Sequence, residues 1–245
     1  MDKESKIMFD FDKLALNEIC GFRDDEMFTC AISSTTSTEK ETKTLRQQLP
    51  YVSGCDFLET NKFIEDTYKK TCSYECKDIE NPLFFDNIPK EQLKSIIVNR
   101  RSIRAFREIP IEENDFSFIT QNIFTFATTH NIDIFYTVHR INGMTQGLYK
   151  NGTLQSVGDF SAKSRYLSLE QNIGGQSAVT FYFTSNENEA YQKVNILSGF
   201  IAQIIYLKSE LKQVGCSGIG AYYDQETKKF LKTENNILYL LAIGK

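Results

Sequence analysis

The stretch Asn99-Arg100-Arg101-Ser102-Ile103-Arg104-Ala105-Phe106 follows an amphipathic run that begins after Pro89. Apolar residues recur in that run at helical spacing, which predicts a helix over residues 90–99. A guanidinium presents a planar fork of donors that matches phosphate oxygens, and a serine hydroxyl adds a short donor beside it. The stretch therefore predicts an anion site, although the same cations would also suit a solvated helix C-terminus.

Composition sets the limits of the protein. The chain has 245 residues, of which 41% are apolar and 24% charged, as in one large domain or a domain with a modest appendage. A net charge of -4 argues against nucleic acid as the main partner. No apolar run reaches the ~18 residues of a membrane span, so no membrane association is expected. The first residues lack the apolar segment of a secretory signal, so a cytoplasmic location is expected.

The six cysteines are expected to be reduced thiols in that compartment. Cys72 and Cys76 have a C-x3-C spacing, but no second Cys/His pair stands near them. His130 and His139 are distant in the sequence, so no metal site is expected.

Patterning divides the chain into residues 1–75, a poorly patterned N-terminal extension, and residues 76–245, a folded domain. In the extension, the polar run Ser33–Thr38 predicts a loop, and the apolar patches Met8–Phe11 and Leu14–Ile19 predict short helices. The domain has helical patterns over 90–99, Glu112–Phe124, Ser161–Ile173, Tyr191–Val214 and Asp224–Leu231. Strand patterns cover Ile132–Val138, a return from Gly147 after a turn at Ile141–Gly143, Ala178–Thr184 and Ile237–Ile243. This mixture without strict alternation predicts an α+β fold.

The order of these parts is familiar. A helix ending in RRSIRAF, a hairpin ending in GLY, a long central helix and a GxG segment before a closing strand resemble the FMN-dependent nitroreductase superfamily. NGMTQGLYKNG and YQKVNILSGFIAQIIYLKSELKQVGCSGIGAYYD are similar to segments of the SagB-type dehydrogenases, which include microcin-type azoline oxidases. The resemblance covers roughly residues 90–245. It implies a nitroreductase-like fold with a central, antiparallel-rich mixed sheet flanked by helices, and a homodimer.

The resemblance also implies FMN as the cofactor, bound between two copies of the chain. The positions matching the phosphate and ribityl contacts are Arg100, Arg101 and Ser102, with Arg104 as the last arginine of the motif. The loop that lines the flavin ring falls on Phe126–His130, where the donors are Thr128, Thr129 and His130. The resemblance places the segment that passes close over the flavin at Ser217, Gly218, Ile219 and Gly220. Glycine there has no Cβ and allows that approach.

Catalytic residues are less well marked. Microcin-type oxidases carry a Lys-Tyr pair before their central helix; with Tyr191 as the helix-opening tyrosine, that pair falls on Ser185 and Asn186. Neither side chain is a basic lysine or a phenol acid. His130 is a candidate base, for which a structural role is favoured, and Tyr191 is a candidate acid.

Three functions remain open from the sequence. The first is an FMN-dependent oxidoreductase that dehydrogenates azolines to azoles in a ribosomally made peptide, working with cyclodehydratase-type partner proteins. The second is an NAD(P)H-dependent FMN reductase of nitro, quinone or dehydroamino-acid substrates. The third is a catalytically degenerate scaffold subunit of a peptide-modification complex, which the altered catalytic positions favour.

Overall fold

The computed structural model of the protein describes residues 4–8, 11–22, 28, 30–35, 61–72, 84–85, 88–186 and 191–245. The chain forms two compact units, Met1–Pro82 and Leu83–Lys245. The boundary after Pro82 lies beyond the one that sequence patterning places after residue 75. Cys76 of the C-x3-C pair lies outside the described residues.

The first unit contains strands β1 (Glu4–Met8) and β2 (Ala31–Thr35), paired antiparallel, and helices α1 (Lys13–Cys20) and α2 (Lys62–Cys72). Helix α1 confirms the predicted helix around Leu14–Ile19. The predicted loop at Ser33–Thr38 is wrong for residues 33–35, which pair with β1, and residues 36–38 lie outside the description. The predicted helix at Met8–Phe11 is also wrong at its start, because Met8 ends β1.

The second unit confirms the α+β prediction. Its helices are α3 (Lys90–Asn99), α4 (Glu113–Thr120), α5 (Ile123–Thr129), α6 (Ser161–Leu167), α7 (Asn172–Gln176), α8 (Tyr191–Leu211) and α9 (Asp224–Leu231). Its strands are β3 (Ile111–Glu112), β4 (Ile132–Val138), β5 (Ile141–Asn142), β6 (Gly147–Lys150), β7 (Thr153–Val157), β8 (Val179–Ser185), β9 (Gly215–Ile219) and β10 (Asn236–Gly244).

One six-stranded sheet organises this unit, in the order β7-β6-β4-β8-β10-β9. Every neighbouring pair of strands in it is antiparallel, and a parallel bridge joins Ser102 to Cys216 of the edge strand β9. Strands β3 and β5 form a separate parallel ladder. The runs IDIFYTV and VTFYFTS make the central strands β4 and β8 because their β-branched and aromatic side chains suit a sheet that is buried on both faces.

Helix α8 is apolar around most of its circumference, as predicted for a central helix. Leu197, Ile201 and Ile205 are at most 1% exposed. Truncating one such side chain to alanine typically costs ~2–5 kcal/mol, so burial of these residues fixes α8 firmly in the fold.

Two predicted helices are each broken in the structure. The helix predicted over Glu112–Phe124 divides into α4 and α5 at Asn122, which has a left-handed backbone with φ of 66°. The helix predicted over Ser161–Ile173 divides into α6 and α7 at Leu169 and Glu170, with φ of 53° and 60°. Non-glycine residues rarely adopt this conformation, so periodicity alone does not reveal the breaks.

A cluster of buried hydroxyls surrounds Ser164 of α6 and joins it to the sheet. The Ser164 Oγ lies 3.1 Å from His139 Nε2 and 3.0 Å from Thr137 Oγ1, and it accepts a 2.8 Å hydrogen bond from the Tyr182 hydroxyl. His139 Nδ1 lies 3.1 Å from the Ser177 carbonyl. These residues are at most 1% exposed, and we call them the Ser164 cluster. Their polar side-chain groups satisfy one another inside the core, as buried polar groups must.

Candidate anion and cofactor site

The segment after α3 is fastened to the sheet through its apolar residues. The Ile103 amide donates a 3.0 Å hydrogen bond to the Cys216 carbonyl of β9, and Ser102 forms a parallel bridge to Cys216. Phe106 is 4% exposed within the apolar core, and Ile103 packs against that core. These anchors leave Arg101, Ser102 and Arg104 exposed beside β9.

Arg100 stacks on an aromatic ring of the central helix. Its guanidinium carbon lies 5.0 Å from the centre of the Tyr206 ring, and Tyr206 is 7% exposed. A cation over an aromatic face is stabilised without its charge being neutralised. Among the described residues, no carboxylate pairs with this guanidinium, so its hydrogen-bond donors remain available to an anion.

The Tyr206 hydroxyl connects the arginine segment to β9. It accepts a 2.6 Å hydrogen bond from the Gly218 amide and lies 3.0 Å from the Ser102 Oγ. Arg100, Ser102, Tyr206 and Gly218, which come from three separate elements, therefore form one contact group that we call the Tyr206 cluster.

The other two predicted arginines differ from Arg100. The Arg101 guanidinium donates 2.8 Å hydrogen bonds to the carbonyls of Val98 and Arg100, so it caps the C-terminus of α3. Arg104 is exposed and has no hydrogen-bond or ion-pair partner within the described part of the chain. Arg101 thus caps a helix end, as expected for a solvated cation, whereas Arg100 and Arg104 have no carboxylate partner among the described residues.

The segment Ser217–Gly220, which the resemblance places over the flavin, lies in a strand as far as Ile219. Residues 215–219 form β9, an edge strand paired with β10. A Cβ on Gly218 would overlap the Tyr239 hydroxyl, so glycine is required there by packing within the chain. A Cβ on Gly220 would meet no atom within 4 Å, so this position borders open space. Ser217 and Ile219 are buried in β9, and the Ser217 Oγ has no hydrogen-bond partner among the described residues.

The groups around Arg100 are uncharged near neutral pH. Burial raises the pKa of the Cys216 thiol well above its usual value, although the Arg100 charge opposes the shift. Burial likewise raises the pKa of the Tyr239 phenol. The positive charge of Arg100 is therefore not offset by either side chain, which favours the binding of an anion.

The predicted ring-lining loop is helical. Phe126–His130 lies on and just after α5, where the Thr128 hydroxyl donates to the Phe124 and Thr125 carbonyls at 3.0 and 2.9 Å. The Thr129 hydroxyl donates to the Thr125 carbonyl at 2.9 Å. Both hydroxyl protons are used within the helix, so neither is available to a ligand in this conformation.

His130 is a partly buried, aromatic-packed residue. Its ring lies 4.6 Å from that of Phe126 in an edge-to-face arrangement. Burial lowers the pKa of His130, and the Lys193 charge lowers it further. Lys193 and Tyr206 are thirteen positions apart on α8, which corresponds to about 20 Å along the helix. Within one chain, the structure therefore brings Arg100, Ser102 and Gly218 together but does not bring His130 to them.

The proposed catalytic positions lie near the start of α8. Tyr191 is the first residue of α8, and it is 57% exposed. Ser185, at the end of β8, donates a 2.8 Å hydrogen bond to the Asn131 carbonyl. That hydroxyl joins the end of β8 to the turn before β4, and Ser185 is no substitute for a basic residue.

Sequence reasoning missed Tyr206, which joins the site together. The available signal is a phenol next to the apolar residues Ile204, Ile205 and Leu207, where Tyr206 is nearly as buried as its neighbours. A buried phenol hydroxyl needs a hydrogen-bond partner, and that requirement alone marks the position as one that faces polar groups.

Comparison with solved structures decides the fold. A "putative nitroreductase" from Anabaena variabilis aligns over 100% of this chain and 60% of its own, with a TM-score of 0.73 and 15% identity. The chain has the nitroreductase-like fold. A second "putative nitroreductase", from Ralstonia eutropha, matches this nitroreductase-like chain over 68% of its length and covers 87% of its own, with a TM-score of 0.51 and 15% identity.

A sequence relative supports the same superfamily. "Putative nitroreductase MJ1384" of Methanocaldococcus jannaschii is 20% identical over 185 residues, which is 65% of this chain and 93% of the relative. No family model matches the chain. The chain spans about 60% of the length of the Anabaena nitroreductase-like protein.

The described residues of the nitroreductase-like chain were also compared with the features of membrane spans and metal sites. No helix among the described residues is long and apolar enough to cross a membrane. The same residues contain no group of three histidine, cysteine or acidic side chains arranged to hold a metal ion.

Proposed function

We propose that this protein is an FMN-dependent oxidoreductase. The observation that carries the proposal is Arg100, a guanidinium supported by an aromatic ring and left without a described carboxylate partner. A cation held in this way beside an exposed serine hydroxyl is suited to a phosphate group. The nitroreductase-like fold and the names of its relatives support FMN as the phosphate-bearing ligand.

The residues present fit the phosphate end of FMN. Arg100, Ser102 and Arg104 offer donors on one exposed segment, and the open space at Gly220 leaves room for a ligand beside β9. FMN supplies the redox chemistry when bound, and the protein supplies binding, orientation and electrostatics. In this proposal Arg101 contributes positive charge near the phosphate while its guanidinium caps α3.

A homodimer is part of the proposal. Within one chain, His130 interacts with Lys193 near the start of α8, whereas Arg100 stacks on Tyr206 farther along that helix. Thr128, Thr129 and His130 would therefore meet the flavin held by Arg100 only if a second copy of the chain supplied them. The Thr128 and Thr129 hydroxyls would have to leave their helix carbonyls to donate to it.

The direction of electron flow separates the first two functions. Dehydrogenating an azoline removes a proton as well as electrons, so it requires a base. Ser185 cannot act as one, and His130 remains the proposed candidate because its lowered pKa keeps it neutral near pH 7. NAD(P)H-driven reduction of nitro, quinone or dehydroamino-acid compounds does not need that base, and the relatives' names favour it.

Spectroscopy tests the proposal. Purified protein incubated with FMN and then desalted should retain flavin absorbance. Bleaching by anaerobic NAD(P)H without any peptide would support the reductase. Oxidation of an azoline-bearing peptide by the flavin-loaded protein would support peptide tailoring in a cytoplasmic complex with cyclodehydratase-type partners. Colourless protein that takes up no FMN would contradict the proposal and favour the scaffold.

A further inference from the structure

The Tyr206 cluster contains a hydrogen-bond chain whose direction is fixed at one end. The Gly218 N–H can only donate, and it donates to the Tyr206 oxygen at 2.6 Å. The phenol has one proton, and Ser102 is its hydrogen-bond partner on the other side, at 3.0 Å. If the phenol instead accepted from Ser102 as well, its own proton would have no partner among the described residues. The satisfied arrangement therefore runs from Gly218 through Tyr206 to Ser102.

This direction determines what Ser102 does. Once its oxygen accepts from Tyr206, its own proton is left to point away from the protein, because the described residues offer it no other acceptor. Ser102 is exposed, so that proton can meet a ligand, and the Arg100 guanidinium lies over the ring of the same tyrosine whose hydroxyl contacts Ser102. The result is a hydroxyl whose single proton is left for an acceptor on the ligand.

We propose that Tyr206 is a positioning residue that orients the Ser102 hydroxyl as an obligate donor and supports the Arg100 guanidinium, making the site selective for a doubly charged phosphate monoester. This proposal rests on the proposed function, because FMN carries such a phosphate and riboflavin does not. The second proton of a phosphate monoester dissociates near pH 6. A donor-only site gains affinity across that step, since the dianion presents only acceptors.

The test is a set of binding titrations on the full chain. The affinities for FMN and riboflavin are compared in the parent, Tyr206→Phe, Ser102→Ala, the double variant and Tyr239→Phe. Tyr239→Phe is the matched control, because its phenol oxygen lies beside Gly218 but makes no hydrogen bond to the described residues. Ser102→Ala leaves Tyr206 in place, so the proposal stays testable if Tyr206→Phe does not fold.

The parent should prefer FMN over riboflavin, and the preference should rise between pH 5 and pH 7. Tyr206→Phe and Ser102→Ala should each reduce the preference by about 3–10-fold, as expected for one hydrogen bond. The double variant should lose little more than either single variant, because the two groups act as one chain. Tyr239→Phe should keep the parental preference, and the rise with pH should be shallower in Tyr206→Phe.

Other outcomes separate the two proposals. If Tyr206→Phe lowered the affinities for FMN and riboflavin equally, the positioning role of Tyr206 would be overturned. The proposal that the protein binds FMN would still stand. A parent that binds both flavins equally would also overturn the positioning role. If the parent binds inorganic phosphate but neither flavin, the FMN proposal fails, and the same variants measured with phosphate decide the role of Tyr206. A parent that binds none of the three overturns both.

Discussion

The Tyr206 cluster and the Ser164 cluster share one contact, between a serine and a tyrosine hydroxyl, but differ in their exposure to solvent. Each centres on a serine hydroxyl in contact with a tyrosine hydroxyl. In the Ser164 cluster every partner is at most 1% exposed, and the serine oxygen contacts three groups. In the Tyr206 cluster the serine is exposed and the neighbouring guanidinium has no described carboxylate partner. A closed polar cluster stabilises the fold, whereas an open one retains capacity to bind.

The largest expected effect is on the closed cluster. Ser164→Ala leaves the Tyr182 hydroxyl, Thr137 hydroxyl and His139 Nε2 without their shared partner. Each unsatisfied buried group costs about 1–3 kcal/mol, so we expect the free energy of unfolding in urea to fall by about 3–5 kcal/mol. Ser156→Ala on the exposed strand β7 is the control and should change it by less than about 0.5 kcal/mol. A Ser164→Ala protein as stable as the parent would show that the cluster is not a stabilising unit.

Acid should open the closed cluster. Burial lowers the pKa of His139 from 6.5 to about 4. The unfolded chain binds a proton in this range that the folded chain excludes, so stability is full above pH 6.5 and declines as the pH falls toward 4. The shift corresponds to about 3 kcal/mol.

Urea midpoints measured between pH 7.5 and pH 4 check this decline. His139→Gln should make the urea midpoint depend less on pH between pH 6.5 and pH 4. His130→Gln should retain most of the parental pH dependence, because His130 packs on the Phe126 ring and is not part of the Ser164 cluster. Identical slopes in the parent and His139→Gln would assign the acid sensitivity to other groups.

The open cluster should respond in binding instead. Arg100→Ala removes the guanidinium that stacks on Tyr206. Losing one charge-assisted contact to phosphate costs about 1.5–3 kcal/mol, so FMN affinity should fall by roughly 10–150-fold. Arg107→Ala removes the same charge from an exposed residue nearby and serves as the control in a fluorescence titration. Equal losses in the two variants would mean that general charge, and not this contact, holds the ligand.

The smallest expected effect belongs to Arg101. Arg101→Ala removes two hydrogen bonds to the last carbonyls of α3, so the free energy of unfolding should fall by about 0.5–1 kcal/mol. FMN affinity should fall less than in Arg100→Ala. Arg101→Lys keeps the charge but loses the planar fork, so it should keep most of the affinity and not the stability. A larger binding loss in Arg101→Ala than in Arg100→Ala would reverse this assignment.

The sequence predicts the elements whose patterns are local. The predicted bounds agree with the observed ones for one strand and two helices: Ile132–Val138, Lys90–Asn99 and Asp224–Leu231. Asp224–Leu231 ends at Lys232, whose left-handed backbone closes the helix. In each case the residue types favour one conformation before any tertiary contact forms.

The predictions fail where a local pattern competes with a tertiary contact. Asn122 interrupts an otherwise continuous helical pattern, and the Lys208 ammonium binds the Gln121 carbonyl at this break. Strand β7 is exposed at every position and has no alternation to detect. Its one signal is Asn151-Gly152, both with positive φ, which is the turn chemistry of a two-residue hairpin.

The candidate site is predictable only in part, because its local motif can be read from the sequence and its tertiary contacts cannot. The guanidinium-serine stretch is a local motif, so the sequence alone marks Arg100, Arg101 and Ser102. Their different roles depend on which partner each meets: a ring of α8 for Arg100, the end of α3 for Arg101 and a phenol for Ser102. Periodicity carries no information about such pairings, which arise only when α8 and β9 pack beside the segment.

The place of β10 in the sheet sets the order in which this protein can assemble during translation. Strand β9 emerges from the ribosome first but pairs within the sheet only with β10, which also joins it to β8. A nascent chain that stops before Asn236 would lack the strand beside β9, although Ile103 and Tyr206 would still contact it. Gly218 would then have no neighbouring strand to fix it against Tyr206, so we expect this surface to bind its ligand tightly only after β10 has been made.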